Sequence, residues 1–260
     1  MVTNLIELKK IRVGIVNYLN TQPMLYGLER LPIKEKIELT GDYPALVAKQ
    51  LREGEIDLGL IPIASLADLK NQQIVGSYCI STETEAASVA IFSKVPIEKV
   101  DRIILDYQSR TSVALAKILC RKYWKKEVVW EAAENETYLD FIEGTTAAVI
   151  IGDRALRARN RFEYIYDLGA YWRKLTGLPF VFAAWISNSQ LPESFIKEFD
   201  EANAEGLAHL EEVLLEVPYQ VGYDLREYYT NNMNYILTAE KRKSIQLFLE
   251  ELSQLPALSL

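Results

Sequence analysis

The sequence predicts an α/β fold of two lobes around a central cleft, and three observations predict it. Strand-like and helix-like segments alternate through the first 190 residues, the pattern of largely parallel sheets covered by helices. An echo at an offset of 90 residues aligns Arg12-Val13-Gly14-Ile15 with Arg102-Ile103-Ile104-Leu105, and 54–61 with 144–151. Beyond Pro192 the pattern changes to helices alone. Repeated α/β units give such echoes by chance as well; the two-lobe reading takes this one as two similarly built halves, the second inserted in the first. Lobe 1 is then 1–93 plus 186–260 and lobe 2 is 94–185, with crossings near 93–96 and 183–186.

Candidate strands follow in order at 11–16, 37–42, 56–61, 74–80, 86–92, 102–106, 127–131, 146–151, 163–166 and 180–186. Met24 to Glu29 reads as a short helix after the first strand. Ala45 to Leu51 places apolar residues at helical spacing and stops at Gly54. Ser112 to Trp124 is a second, more apolar helix. In the tail, 195–215 and 239–253 have helical periodicity, and these helices are expected to pack back on lobe 1.

With 260 residues, 49% apolar and 25% charged, the chain has ample material for a core. A net charge of −7 gathers no phosphates, so neither a nucleic-acid nor an acidic-membrane partner is expected. Met1 to Lys10 lacks the features of a secretory signal, and no apolar run approaches the ~18 residues of a membrane span. A cytoplasmic protein is expected. Cys79 and Cys120 lack metal-ligand spacing and read as buried thiols.

Chemistry concentrates in loops at strand ends, where open parallel sheets bind ligands. The first is Asn17-Tyr18-Leu19-Asn20-Thr21-Gln22-Pro23, rich in amides and hydroxyls that donate to carboxylates without carrying charge. The second, at its echo, is Asp106-Tyr107-Gln108-Ser109-Arg110-Thr111-Ser112, at the start of a helix whose N–H groups and dipole favour an anion. Ser109, Thr111 and Ser112 read either as caps or as carboxylate ligands. Arg110 either joins them, points to solvent or pairs with Asp106. Gly152 permits close approach to the backbone, and Asp153 caps the following helix or orients a donor. Ser88 is a buried hydroxyl or a ligand contact. Aromatic clusters at 164–172 and 178–185 are core, with some rings expected on the cleft wall.

The only histidine, His209, lies in an amphipathic helix away from these loops. A Ser/His/Asp triad, a Cys/His pair and a His-rich metal site therefore have no support, and no phosphate-cradling glycine motif is present.

Together, several segments resemble chorismate dehydratase of the futalosine route to menaquinone, a family with a type II periplasmic-binding-protein-like fold. The likeness rests on 14–23 with Gly27, on 54–62, and on Ser88-Val89-Ala90-Ile91-Phe92-Ser93. It continues through 106–112, Ile151-Gly152-Asp153 and 167–181. The resemblance implies removal of water from chorismate to give 3-[(1-carboxyvinyl)oxy]benzoate, with no metal and no cofactor. Losing the ring hydroxyl and the neighbouring proton makes an aromatic ring, so the driving force lies in the substrate. The substrate's own enolpyruvyl carboxylate is then the expected proton acceptor. The implied roles put Asn17 on the reacting carboxylate or leaving hydroxyl. Ser88, Ser109, Thr111 and Ser112 hold carboxylates, and Tyr18, Arg110, Gly152 and Asp153 complete the binding site. A sister branch that makes dihydroxynaphthoate carries a different first loop and uses a histidine that this chain lacks at a matching place. A non-catalytic carboxylate receptor of the same fold is the third reading.

Overall fold

The computed structural model describes residues 10–30, 32–69, 72–217 and 221–256. The expectation for the first ten residues falls, over 1–9, outside the described residues. The chain begins with β1 (Ile11–Val16), α1 (Gln22–Leu28), β2 (Ile37–Asp42), α2 (Pro44–Glu53), β3 (Leu58–Pro62) and β4 (Gln73–Thr82). It continues with β5 (Val89–Ser93), β6 (Arg102–Leu105), α3 (Thr111–Leu119), β7 (Val129–Ala132), β8 (Thr146–Ile151) and α4 (Gly152–Ala158). Then come β9 (Tyr164–Asp167), α5 (Leu168–Thr176) and β10 (Phe180–Ser187). The tail holds α6 (Glu193–Ala208), α7 (Leu210–Glu216), the single turn α8 (Leu225–Glu227), β11 (Asn234–Ile236) and α9 (Ala239–Ser253).

Two sheets result, in the orders β11-β4-β10-β3-β1-β2 and β7-β6-β8-β5-β9. In the first, β1 lies parallel between β2 and β3, while β10 runs antiparallel between β3 and β4. The second repeats this: β6 lies parallel between β7 and β8, and β5 runs antiparallel between β8 and β9. The strands that echo each other, β1 with β6 and β3 with β8, thus hold equivalent places.

Sheet membership moves the crossings. β5 belongs to the five-stranded sheet and β10 to the six-stranded one, so the chain changes lobe within 83–88 and again within 168–179. The boundaries expected at 93/94 and 185/186 each fall one strand too late. Val89–Phe92 and Phe180–Ile186 are continuous apolar runs, and all five residues of β5 and all eight of β10 are buried. Such a run identifies a strand with both faces covered without naming its sheet. The two crossings are tied together by Asp167, the N-cap of α5. Its carboxylate accepts the Ala170 N–H at 3.1 Å, and also the N–H groups of Ala86 at 3.1 Å and Ala87 at 2.8 Å.

The C-terminal helices back the first lobe. α6 crosses α1 so closely that a Cβ on Gly27 would fall 1.7 Å from the Ala202 carbonyl oxygen, and one on Gly206 would fall 1.5 Å from that of Pro23. Only glycine fits either position, and the contact fixes the helix that follows the first polar loop. The single helix expected over 195–215 is broken at His209, whose ring stacks on Tyr26 with centroids 5.9 Å apart and whose backbone leaves helical geometry at φ −110, ψ 42. α8 runs into a π-helical turn, Tyr228–Asn232, which returns the chain to the first crossing. α9 lies against β10 and reaches across to α3. Cys79 and Cys120 are buried and free. Among the described residues, no helix is long and apolar enough to cross a membrane.

Candidate active site

Both polar loops turn tightly because their own side chains close them. The Thr21 hydroxyl lies 2.6 Å from the Val16 carbonyl oxygen and 2.7 Å from that of Tyr18, which folds the first loop back on β1. In the second loop, Ser109 Oγ accepts the Ser112 N–H at 3.1 Å and Asp106 Oδ1 accepts the Gln108 N–H at 2.9 Å. Asp106 is also the buried anchor of lobe 2. Its carboxylate accepts the Tyr138 hydroxyl at 2.8 Å and the Ile151 N–H at 3.3 Å, and it pairs with Arg154 at 2.9 Å.

The loops meet across the cleft. Tyr18 and Gln108 hold equivalent positions of the echo, and the Tyr18 hydroxyl donates to Gln108 Oε1. Beside it, bonds that span the lobes include Leu19 N–H to Asp153 Oδ1 at 3.0 Å and Ala64 N–H to Thr111 Oγ1 at 3.1 Å. The Tyr18 ring lies over Gly152, where a Cβ would stand 3.0 to 3.1 Å from three ring carbons. Gly152 also has φ +62, a conformation that side chains disfavour. Burial, reinforced by Asp106, raises the Tyr18 phenol well above its ordinary range, so it stays a neutral donor. Burial opposes the Arg154 charge, but Asp106 together with the Tyr138 and Tyr18 phenols outweighs it and keeps the guanidinium ionised.

Between the lobes lies a narrow cavity of about 50 Å³, lined by residues of both. A cavity of this size is smaller than a ring-sized ligand. Apolar walls come from Pro44, Pro62, Phe182 and Met233, among others. The polar surface comes from Tyr18, Asn20, Thr21, Ser88, Ser109, Thr111 and Ser112, with no charged side chain among the lining residues. Thr21 spends its proton within its own loop. Ser88, Ser109 and Thr111 accept N–H or O–H bonds from the protein, which leaves their own protons for a ligand. The α3 N-terminus, whose first residues are Thr111 and Ser112, adds backbone N–H groups and the positive end of its dipole. Such an arrangement can hold a carboxylate with neutral donors.

Six of the residues singled out from the sequence line this cleft: Tyr18, Ser88, Ser109, Thr111, Ser112 and Gly152. Asp153 stands just outside, using its carboxylate on the facing lobe rather than as a cap. Arg110 turns away to pair with Asp68 at 2.5 Å, in a separate groove against α9. The cation beside Asp106 is Arg154 instead. Asn17 is exposed and lines a third groove, with Thr40 and Gly41 on the outer face. The pleat explains this: Asn17 continues β1 and bonds the Asp42 carbonyl through its N–H at 3.0 Å, so its side chain follows the alternation away from the cleft. The amide that reaches the cleft is Asn20, three residues on, after the chain has turned. Asn20 Oδ1 is buried and has no hydrogen-bond partner among the described residues. Met233, Pro44 and Ile80 also line the cleft, and nothing in the sequence singled them out. His209 is remote from the cleft, bonded to Glu205. Among the described residues, no cluster of His, Cys, Asp and Glu could hold a metal ion.

A family model described as "Menaquinone biosynthesis" matches residues 11–254. The chain belongs to the menaquinone biosynthesis family. A chorismate dehydratase of Thermus thermophilus is 28% identical over 270 residues, covering 92% of this chain and 94% of that protein. One of Campylobacter jejuni is 29% identical over 194 residues, 72% of each chain. Protein AF1704 of Archaeoglobus fulgidus superposes with a TM-score of 0.72 at 17% identity, covering 94% of this chain and 96% of its own. The alkanesulfonate-binding protein SsuA of Xanthomonas axonopodis pv. citri gives 0.64 at 14% identity, covering 95% and 94%. These structural likenesses are of fold, and they bear out the two-lobed, periplasmic-binding-protein-like architecture expected for this family member.

Proposed function

We propose that this family member dehydrates chorismate to 3-[(1-carboxyvinyl)oxy]benzoate in the futalosine route to menaquinone. The observation that carries the reading is the wall of the cleft: convergent hydroxyl donors and one amide whose oxygen has no partner among the described residues, with no charged side chain among them. Such a wall holds a dicarboxylate without supplying a strong base or acid, which suits a reaction whose driving force is aromatisation of the substrate. The curated relatives named chorismate dehydratase support the same assignment.

In this mechanism Ser109, Thr111 and Ser112, with the α3 N-terminus, hold one carboxylate, and Ser88 donates to an anionic group from the opposite side. Asn20, rather than Asn17, faces the leaving hydroxyl: its empty Oδ1 accepts a hydrogen bond that orients the hydroxyl, and its amide N–H₂ steadies charge on the departing oxygen. The enolpyruvyl carboxylate takes the ring proton as the hydroxyl departs and hands it to the departing oxygen, which leaves as water and returns the carboxylate to its anionic form. Closure of Tyr18 onto Gln108 shuts out water and fixes the reactive conformer.

Mixing pure protein with chorismate, without added metal or cofactor, tests this. The chorismate spectrum should decay into that of a substituted benzoate. A thermal shift with chorismate but no change in the ligand would overturn the assignment and leave a carboxylate receptor.

A further inference from the structure

Ser88 is held from every side. It ends a γ-turn in which its N–H bonds the Ala86 carbonyl at 2.7 Å, with Ala87 at the apex in the left-handed region, φ +59. That strained turn is secured by Asp167 on the Ala86 and Ala87 N–H groups, and by Arg159 Nη1 on the Ala87 carbonyl at 2.9 Å. The Ser88 carbonyl accepts the Gly152 N–H at 2.8 Å. Its hydroxyl meets the Tyr228 hydroxyl at 2.8 Å, deep in the protein, and both residues are fully buried.

The direction of that last bond follows from counting. Among the described residues, Ser88 is the hydrogen-bond partner of the Tyr228 hydroxyl, and a buried phenol that keeps its proton must donate it. Desolvation holds Tyr228 neutral well past its ordinary range. Tyr228 is therefore the donor and Ser88 Oγ the acceptor. With its N–H, its carbonyl and one lone pair committed, Ser88 has its own O–H left, and the face of Ser88 that remains is the cleft. Accepting one bond also polarises the O–H that it donates.

We infer that Tyr228, which does not touch the cleft, is a positioning residue that turns the Ser88 proton toward the ligand and makes Ser88 an obligate donor to an anionic group. The π-helical turn Tyr228–Asn232 serves this end. It seats the phenol behind Ser88, while Asn232 Nδ2 bonds the Glu85 carbonyl at 3.3 Å and Met233 enters the cleft wall. This inference rests on the chorismate reading for the identity of the anion, and on geometry alone for the pairing.

A double-mutant cycle of Tyr228→Phe and Ser88→Ala tests it by two readouts. In thermal unfolding, Ser88→Ala strands the Tyr228 proton and lowers Tm, and adding Tyr228→Phe restores part of the loss. In turnover of chorismate, Tyr228→Phe raises KM about three- to tenfold with a smaller change in kcat, and has no effect on kcat/KM once Ser88 is alanine. Equal Tyr228→Phe effects in both backgrounds would mean a packing role only and overturn the inference, as would a Tm loss that Tyr228→Phe deepens. If the wild type leaves chorismate untouched, the chorismate reading falls, and the thermal cycle still decides the pairing.

Discussion

Alanine at Asn20 and alanine at Asn17, in separate variants, distinguish two amides of one loop. Asn17 is exposed on the outer face, so Asn17→Ala should change stability by no more than about 0.5 kcal/mol and activity by about twofold. Asn20 has a buried carbonyl oxygen without a partner, facing a wall with no cation to substitute for its amide. Removing one preorganised donor from a water-poor site costs about 10²–10³ in kcat, or roughly 3–4 kcal/mol of transition-state stabilisation. The same deletion should not harm the fold, because an unsatisfied buried oxygen costs ~1–3 kcal/mol that the alanine variant no longer bears. Asn20→Ala is therefore expected to keep or raise Tm while turnover collapses, and Asn20→Asp to fare worse by setting a carboxylate against an anionic substrate. The assay is the initial rate of chorismate loss, paired with thermal unfolding of each variant. If Asn17→Ala loses as much activity as Asn20→Ala, or Asn20→Ala keeps more than about a tenth of it, the placement of the reacting hydroxyl is wrong.

Gly152→Ala combines a left-handed backbone cost of about 1–2 kcal/mol with a methyl 3.0 Å from the Tyr18 ring, so urea unfolding should show that loss and KM should rise. Thr111→Val leaves the Ala64 N–H without its acceptor, and about 1–3 kcal/mol should disappear from the same unfolding curve. Tyr18→Phe keeps the ring but removes the bond to Gln108; about 1 kcal/mol of closure is lost, read as a KM increase of about fivefold with Tm nearly constant. Burial, resisted by three N–H bonds, pushes the Asp167 carboxyl up to about 6. Its native form then holds a proton that the unfolded chain has already released near pH 4, so stability falls as pH rises through about 4 to 6, by ~3 kcal/mol. Asp167→Asn cannot titrate, and its stability relative to wild type should improve by about that amount between pH 4 and 7; a pH-independent difference would contradict the assignment.

Much of this fold is legible because apolar strands and helix-ending glycines state local structure directly. The 11–16, 37–42 and 146–151 strands stand where alternation and apolar runs put them. What local pattern does not state is partnership. β5 and β10 look alike from sequence, both wholly apolar or nearly so, and only the tertiary register sends each to the other lobe's sheet. The site failed at the same point. Strand alternation read strictly would have turned Asn17 outward from β1, but proximity to the strand end weighed more; Asn20 gave no local signal beyond being the next amide. Arg110 sits beside three hydroxyl residues in sequence, yet it ends one residue before α3 and finds Asp68. Met233 and Tyr228 lie in a tail whose sequence gives helix and little else, and a π-helical turn has no recognised sequence signature.

A two-lobed binding fold becomes catalytic when the conformer that it holds is the reactive one. Here the symmetry supplies the holding: equivalent loops at Tyr18 and Gln108 meet, and each sheet has an antiparallel strand, β10 or β5, in the equivalent place. The asymmetry supplies the chemistry. At the first loop an amide with an empty acceptor faces the cleft, while at the echoing loop three hydroxyls and a helix start face it. A ligand with a carboxylate at one end and a hydroxyl at the other is thus held in one sense and not the reverse. Orientation of this kind, with water shut out, is the contribution required when the substrate carries its own base. A cation in the cleft wall would bind a carboxylate more tightly in the ground state, but it would also quench the one that must accept the proton. The neutral wall follows from that requirement.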